Sequence, residues 1–375
     1  MPEVYGIVIT YCTSIHPGES WEEVYANLRT HFLAVKQAIS PVDPFPIGLR
    51  LSNRASMEID ERASKEFYAW CREQGCFVPT INGFPYGAFH SSVVKKKVYQ
   101  PDWRSAKRCE YTKRLAELLY QWLPQGVAGS ISTVPVGFGR HISKDEQPLV
   151  RRNLVEVLEH IHTLKQKSGK EVILSLEPEP GCLLETTAEA IQFLEQMRLP
   201  ERLLDCIGIC FDCCHQAIEF EEPSEAIKLL SDSGIRLGKV QVSSALRLPM
   251  FNREIAEKFC EPTYLHQVVV RQQNGVLKRY DDLPDALRLQ GVESNAEWRI
   301  HYHVPIFIDG TEEQGTTQFF LKEILPLIND DMLLEVETYT WEILPPELKG
   351  TTVAESIIRE IQWVKALSNE PDRPS

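Results

Sequence analysis

Leu174-Ser-Leu-Glu-Pro-Glu-Pro180 and Leu333-Leu-Glu-Val-Glu-Thr-Tyr-Thr-Trp341 are two short β-type runs that each end in acids, Glu177 and Glu337. Between them, CFDCCHQA (210–217) sets Asp212 and His215 behind another apolar run, and KVQVSS (239–244) brings a strand-like run to Gln241 and Ser243. Side chains alternate along a strand, so Glu177 shares a face with Glu179, and Glu335 with Glu337. The last inward acid before the loop is the better ligand, which selects Glu177 and Glu337. Glu179 is then a supporting group, and Glu335 a supporting group or a deeper residue paired inside the sheet.

Working outward, eight short runs read as strands: Tyr5–Thr10, Ile47–Ser52, Phe77–Ile81, Ser130–Pro135, Val172–Leu176, Ile207–Phe211, Lys239–Val242 and Leu333–Glu337. Helical periodicity fills the gaps at Trp21 to Ile39, Ser56 to Gln74, Trp103 to Trp122, Asp145 to Gln166, Thr187 to Met197 and Pro223 to Asp232. Strand followed by helix or long loop, eight times, predicts an α/β fold: one (β/α)8 barrel domain spanning 1–375. The alternative, a doubly wound sheet, lacks a phosphate loop, since TYCTSIHPGESW holds one Gly where GxGxxG needs three. Residues 245–332 break the rhythm and read as an insertion between the seventh and last strands, folding over the barrel mouth. Within it Asn274-Gly275 signals a hairpin, and RIHYHVPIF sets His301 and His303 on one face. The end, SNEPDRPS, reads as a frayed tail.

Forty basic against 53 acidic residues give a net charge of -13, which argues against nucleic acid as a partner. No signal-peptide pattern opens the chain, and no 18-residue apolar run suits membrane insertion, so a soluble, cytoplasmic protein is expected. The ten cysteines are scattered without zinc-ribbon spacing and read as reduced thiols.

Glu177, Asp212, Gln241 and Glu337 would give a hard divalent cation, Mn2+ or Mg2+, four oxygens from four strands. Zn2+ is less favoured because Cys213 and Cys214 lack a CxxC partner. Such a site suits proton transfer between adjacent carbons of an α-hydroxy carbonyl, which needs a metal to steady the enediolate and one or two bases. Glu177 and Glu337 would serve as ligand and proton carrier, with His215 orienting a substrate hydroxyl. Arg50, His90, His303 and Trp341 are candidate substrate contacts, with Tyr86 a further stacking candidate. His16 and His301 read more simply as scaffolding. Lys95–Lys97 reads as a solvated face, useful only to a phosphorylated substrate, and EFEEPSE (219–225) as surface leading into a helix opened by Pro223.

The order LEP, FDxxHxx, VQV and a late acid followed by an aromatic resembles the xylose-isomerase-like TIM barrels, and is similar to hydroxypyruvate isomerase, with a Glu, Asp, Gln, Glu metal site. Tagatose-type epimerases carry His where this chain has Gln241. Across nearly the whole chain YCTSIHPGESW, GLRLSN, TINGFPYGAFH, VYQPDW, HYHVPIF and EVETYTW resemble the EboE group of metabolite-traffic proteins. That resemblance implies a cytoplasmic product of the Ebo gene cluster, with other Ebo cluster proteins as partners, moving a prenylated or secondary-metabolite precursor towards the membrane. The chemistry predicts a metal-dependent isomerase or epimerase acting on a small-molecule substrate; the alternative is a barrel that binds and delivers a metabolite without turnover. A phosphodiesterase of the kind that cuts DNA at abasic sites would need several His for zinc, and the strand ends supply few.

Overall fold

The computed structural model describes residues 7–90, 93–288, 295–329 and 331–368; Tyr5 and Gly6 of the first expected strand and residues 369–375 of the expected tail lie outside them. Strands β1 (Val8–Tyr11), β2 (Phe45–Arg50), β3 (Cys76–Asn82), β4 (Ala128–Thr133), β5 (Glu171–Leu176), β6 (Ile207–Asp212) and β7 (Arg236–Val242) each precede a helix or loop. Five short strands follow, β8 (Ser244–Leu248), β9 (Val268–Arg271), β10 (Leu277–Tyr280), β11 (Glu297–Val304) and β12 (Gly315–Thr316), before β13 (Leu333–Val336). β1 to β7 and β13 form one parallel sheet in the order β1-β13-β7-β6-β5-β4-β3-β2. A parallel bridge from Cys12 to Gly48 joins its two ends, so the sheet closes into a barrel. The eight expected strands are these eight, shifted by a few residues at their ends.

Helices cover the outside with apolar faces. The first, from Trp21, is started by a reciprocal cap between Ser20 and Glu23 and carries a π-helical segment at Leu28–Phe32 that periodicity alone does not reveal. The helix expected at Ser56 to Gln74 is two, Asn53–Glu58 and Glu61–Glu73, because Ser52 and Asp60 each cap a separate start.

The barrel interior is polar. Ser130 and Ser175 hydroxyls lie 2.8 Å apart, and Lys239 forms an ion pair with Glu335, both fully buried. Burial opposes the Lys239 charge, but Glu335 beside it holds its pKa above the usual lysine value. Glu335 therefore belongs to the deeper layer, and it occupies space that only a glycine leaves open. A Cβ on Gly48 would lie 2.1 Å from Glu335 Oε1 and 2.4 Å from the Tyr11 carbonyl oxygen.

Between β7 and β13 the chain builds a second sheet, antiparallel, in the order β10-β9-β11-β8-β12. The Asn274-Gly275 turn joins β9 to β10, with Gly275 at φ +83. On β11, Trp298, Ile300, Tyr302 and Val304 enter this sheet's own apolar core, which leaves Arg299, His301 and His303 on the opposite face. The excursion ends earlier than residue 332: Phe320, Leu321 and Ile324, on the helix Gln318–Ile324, pack into the main core as an outer helix of the barrel. No helix among the described residues is long and apolar enough to cross a membrane.

Candidate metal centre and cavity

Glu177 follows β5, Asp212 ends β6 and Glu337 follows β13, and one carboxylate oxygen from each lies within 4.8 Å of the other two. All three are buried. Glu337 Oε1 accepts from Asn82 Nδ2 at 2.9 Å, and Asp212 Oδ1 accepts from the Ser243 hydroxyl at 2.7 Å and the His215 amide at 3.0 Å. Glu177 Oε2 and Asp212 Oδ2 have no hydrogen-bond partner among the described residues. Buried carboxylate oxygens left unpaired at such spacing repel one another. Burial, then Glu337 and Asp212, push the Glu177 carboxyl well above its usual range; burial, then Asp212 and Glu335, raise Glu337 to about 8. A divalent cation would answer both the missing partners and the repulsion, so these residues fit one. Gln241 stands next to them on β7. With its amide nitrogen turned to the acceptors of Glu335 it lies 2.9 Å from Oε2 and 3.2 Å from the carbonyl oxygen, so its own oxygen faces away from Glu335.

Glu179 supports the site from one side: the Tyr99 hydroxyl and Gln267 Nε2 donate to its Oε1 at 2.6 and 2.9 Å. His215 Nδ1 sits 2.9 Å from the Pro178 carbonyl oxygen, and His303 Nδ1 2.8 Å from that of Glu337. His301 is no distant scaffold, since it lines the same cavity as Glu177, Glu179, His215 and Glu337. Burial drives the His301 pKa well below its usual value and His303 down to about 4, so both rings are neutral near pH 7. Histidine is thus less scarce than the barrel strand ends suggest, because β11 of the inserted sheet delivers two.

Other expected contacts are placed elsewhere. Arg50 does not line this cavity: its guanidinium donates to the carbonyls of Gly18 and Gly87 at 2.9 and 2.7 Å and pairs with Glu19, tying two loops together. His90 bonds the Ser14 carbonyl oxygen through Nε2 at 2.7 Å and meets the Tyr264 hydroxyl at Nδ1, a structural role. Trp341 packs between the two cores with Lys349 over its ring, and Tyr86 packs edge-on to Tyr111. His16 bonds the Tyr11 hydroxyl and stacks on His31. Lys96 and Lys97 are exposed, as a solvated face should be, but Lys95 and Lys96 also pair with Asp282 and Asp281 of the inserted segment at 2.7 Å each. Glu219 is not surface either; it is buried against Arg279. The cavity wall that sequence reading missed is aromatic and apolar: Phe84, Phe89, Tyr99, Tyr264, Leu265 and Tyr339 rise above the carboxylates. Phe84 and Tyr339 each stand two residues beyond an inward residue, Asn82 and Glu337, but past the strand ends, where alternation no longer fixes a face.

No protein-family model and no curated protein sequence matches the chain. Solved structures do. A xylose isomerase domain protein from Planctomyces limnophilus aligns over 98% of both chains at 13% identity with a TM-score of 0.54. A xylose isomerase-like TIM barrel protein from Mycobacterium smegmatis in complex with magnesium aligns over 97% of this chain and 98% of its own, at 12% identity and TM-score 0.53. IolI, solved with a bound zinc atom, aligns over 96% and 98% at 12% identity and TM-score 0.52. Together with the closed eight-stranded sheet, these alignments give the chain the fold of the xylose-isomerase-like TIM barrels.

Proposed function

We propose that the protein is a divalent-metal-dependent isomerase or epimerase that moves a proton on a hydroxy-carbonyl metabolite. The observation that carries this reading is the trio Glu177, Asp212 and Glu337, buried and mutually repelling, with Glu177 and Glu337 lining a cavity. These three, with the Gln241 oxygen, would hold Mn2+ or Mg2+. A bound cation supplies the positive charge that offsets negative charge developing on two neighbouring substrate oxygens. Glu177 and Glu337 each keep a second carboxylate oxygen with which to take or return a carbon-bound proton. A base works best with its pKa near the working pH, and burial has already moved both upward from the ordinary carboxylate range. Asn82 holds Glu337 in place, His215 offers a polar edge to a substrate hydroxyl, and the aromatic wall excludes water. That wall favours a substrate with an apolar or planar flank beside its hydroxy-carbonyl end, since a bare polyol would leave its hydroxyls unpaired there.

The alignment with proteins whose names include L-ribulose 3-epimerase and D-allulose 3-epimerase supports the reaction class. The test is exchange. Purified protein loaded with Mn2+ and incubated in D2O with a panel of 2-hydroxy-carbonyl compounds should incorporate deuterium at a substrate carbon, and Glu337→Gln should abolish it. A second reading, delivery of a metabolite without turnover as the EboE resemblance implies, draws on the same aromatic wall. Ligand binding with no exchange across the panel would favour it.

A further inference from the structure

His301 turns its outer nitrogen to the outer nitrogens of two other imidazoles. His301 Nε2 lies 3.2 Å from His215 Nε2 and 3.2 Å from His303 Nε2. At each ring the other nitrogen faces an oxygen that can only accept: the Pro178 carbonyl for His215, the Glu337 carbonyl for His303, and Gln267 Oε1, 2.7 Å away, for His301. The Gln267 amide orientation is fixed independently, because its nitrogen donates to the Tyr99 hydroxyl, Glu179 Oε1 and the Pro180 carbonyl. Each Nδ1 therefore carries a ring hydrogen, and a ring with that one hydrogen presents a bare lone pair at Nε2. The Tyr339 hydroxyl, 3.4 Å from His301 Nε2, can satisfy one of the three.

Lone pairs facing each other at hydrogen-bond distance repel unless something positive sits among them. The spacing has a natural explanation: two nitrogens bound tetrahedrally to one zinc at ~2.0–2.1 Å stand roughly 3.3 Å apart. Anchoring each ring by its far N–H to a carbonyl is also how metal-binding imidazoles are held. Asp212 Oδ2, buried and unpartnered, lies 3.8 Å from His215 Nε2 and completes a group with His215 and His303 whose ligand atoms lie within 4.8 Å of one another.

We infer that His215, His301 and His303 form a second metal site, for a zinc-like transition-metal ion, beside the carboxylate trio, with Asp212 reaching both. Imidazole donors take Zn2+ or Co2+ readily, whereas carboxylate and carboxamide oxygens suit Mg2+ or Mn2+, so the two sites would hold different ions. The inference touches the isomerase reading only at Asp212 and at His215, whose Nε2 would meet the ion in place of a substrate hydroxyl; the other two ligands come from the inserted sheet, and none of the three imidazoles is a base in that reaction.

The test is metal counting on the full chain. Protein stripped with chelator and reloaded with Co2+ should bind two equivalents, one giving the strong visible absorption of a four-coordinate, nitrogen-rich site. His301→Gln and His303→Gln, checked for folding by circular dichroism, should each bind one equivalent and lose that absorption. Glu177→Gln should also bind one and keep it. X-ray absorption on zinc-loaded wild-type protein, which needs no variant, should show about three imidazoles around the ion. Zinc ligation without imidazole, two equivalents retained in His301→Gln, or a wild-type protein that binds only one equivalent and loses it in both His301→Gln and Glu177→Gln would overturn the second site. Two equivalents and full absorption kept in Glu177→Gln, with one equivalent and no such absorption in His301→Gln, would sink the carboxylate assignment and leave this one standing.

Discussion

Two layers of the same barrel treat buried acid in opposite ways. In the deeper layer Glu335 has an internal counter-ion, Lys239, and an amide partner in Gln241. In the upper layer Glu177, Asp212 and Glu337 crowd together with no lysine or arginine among them and two oxygens unpaired. The chain therefore can provide a buried cation of its own, and one layer up it does not. A charge neutralised from within serves stability; a charge left over draws in something from outside.

That contrast can be broken from either side. Lys239→Met leaves Glu335 buried without a partner and should cost about 3–5 kcal/mol in urea unfolding; a loss below about 1 kcal/mol would mean the lower pair is not what holds that layer. Glu177→Gln should do the reverse. It relieves repulsion, so the metal-free protein should melt no lower than wild type, while Mn2+ affinity by calorimetry falls at least about 100-fold. Full affinity in this variant would remove Glu177 from the ligand set.

The upper layer should also respond to pH. Because the folded Glu337 carboxyl is raised to about 8 and Glu177 is raised as well, the folded protein holds more protons than the unfolded chain from about pH 4.3 upward. Metal-free stability should thus be greatest below that window and fall as pH rises through it to about 8. Cation affinity should rise over the same range as protons are displaced. Melting curves with and without Mn2+ check both signs, and a metal-free protein that gains stability between pH 5 and about 8 would contradict them. The smallest effect belongs to Asn82→Ala, which removes one hydrogen bond to Glu337 and should weaken Mn2+ about tenfold with little change in melting.

Much of this was legible in the sequence where the signal was local. Eight β-type runs ending in loops found the barrel strands, and strand alternation put Glu177 and Glu337 on the inward face because the period is two whatever the surroundings. Long-range partners were not legible. Arg50, at a strand end, looked available, but its partners are backbone carbonyls of Gly18 and Gly87, which no side-chain pattern announces. His90 likewise meets a backbone carbonyl, that of Ser14, which no side-chain pattern announces. His301 and His303 showed their shared face through alternation, yet nothing within RIHYHVPIF says which surface that face meets; the answer is His215, 86 residues back along the chain from His301.

The place of β13 between β1 and β7 sets the order of events during synthesis. Glu177 and Asp212 leave the ribosome long before Glu337, and the cylinder stays gapped until that late segment slots in beside the first. On the proposed ligand set, an ion that needs Glu337 would be held only once that late segment has closed the gap, so loading would report that the first and last strands have met.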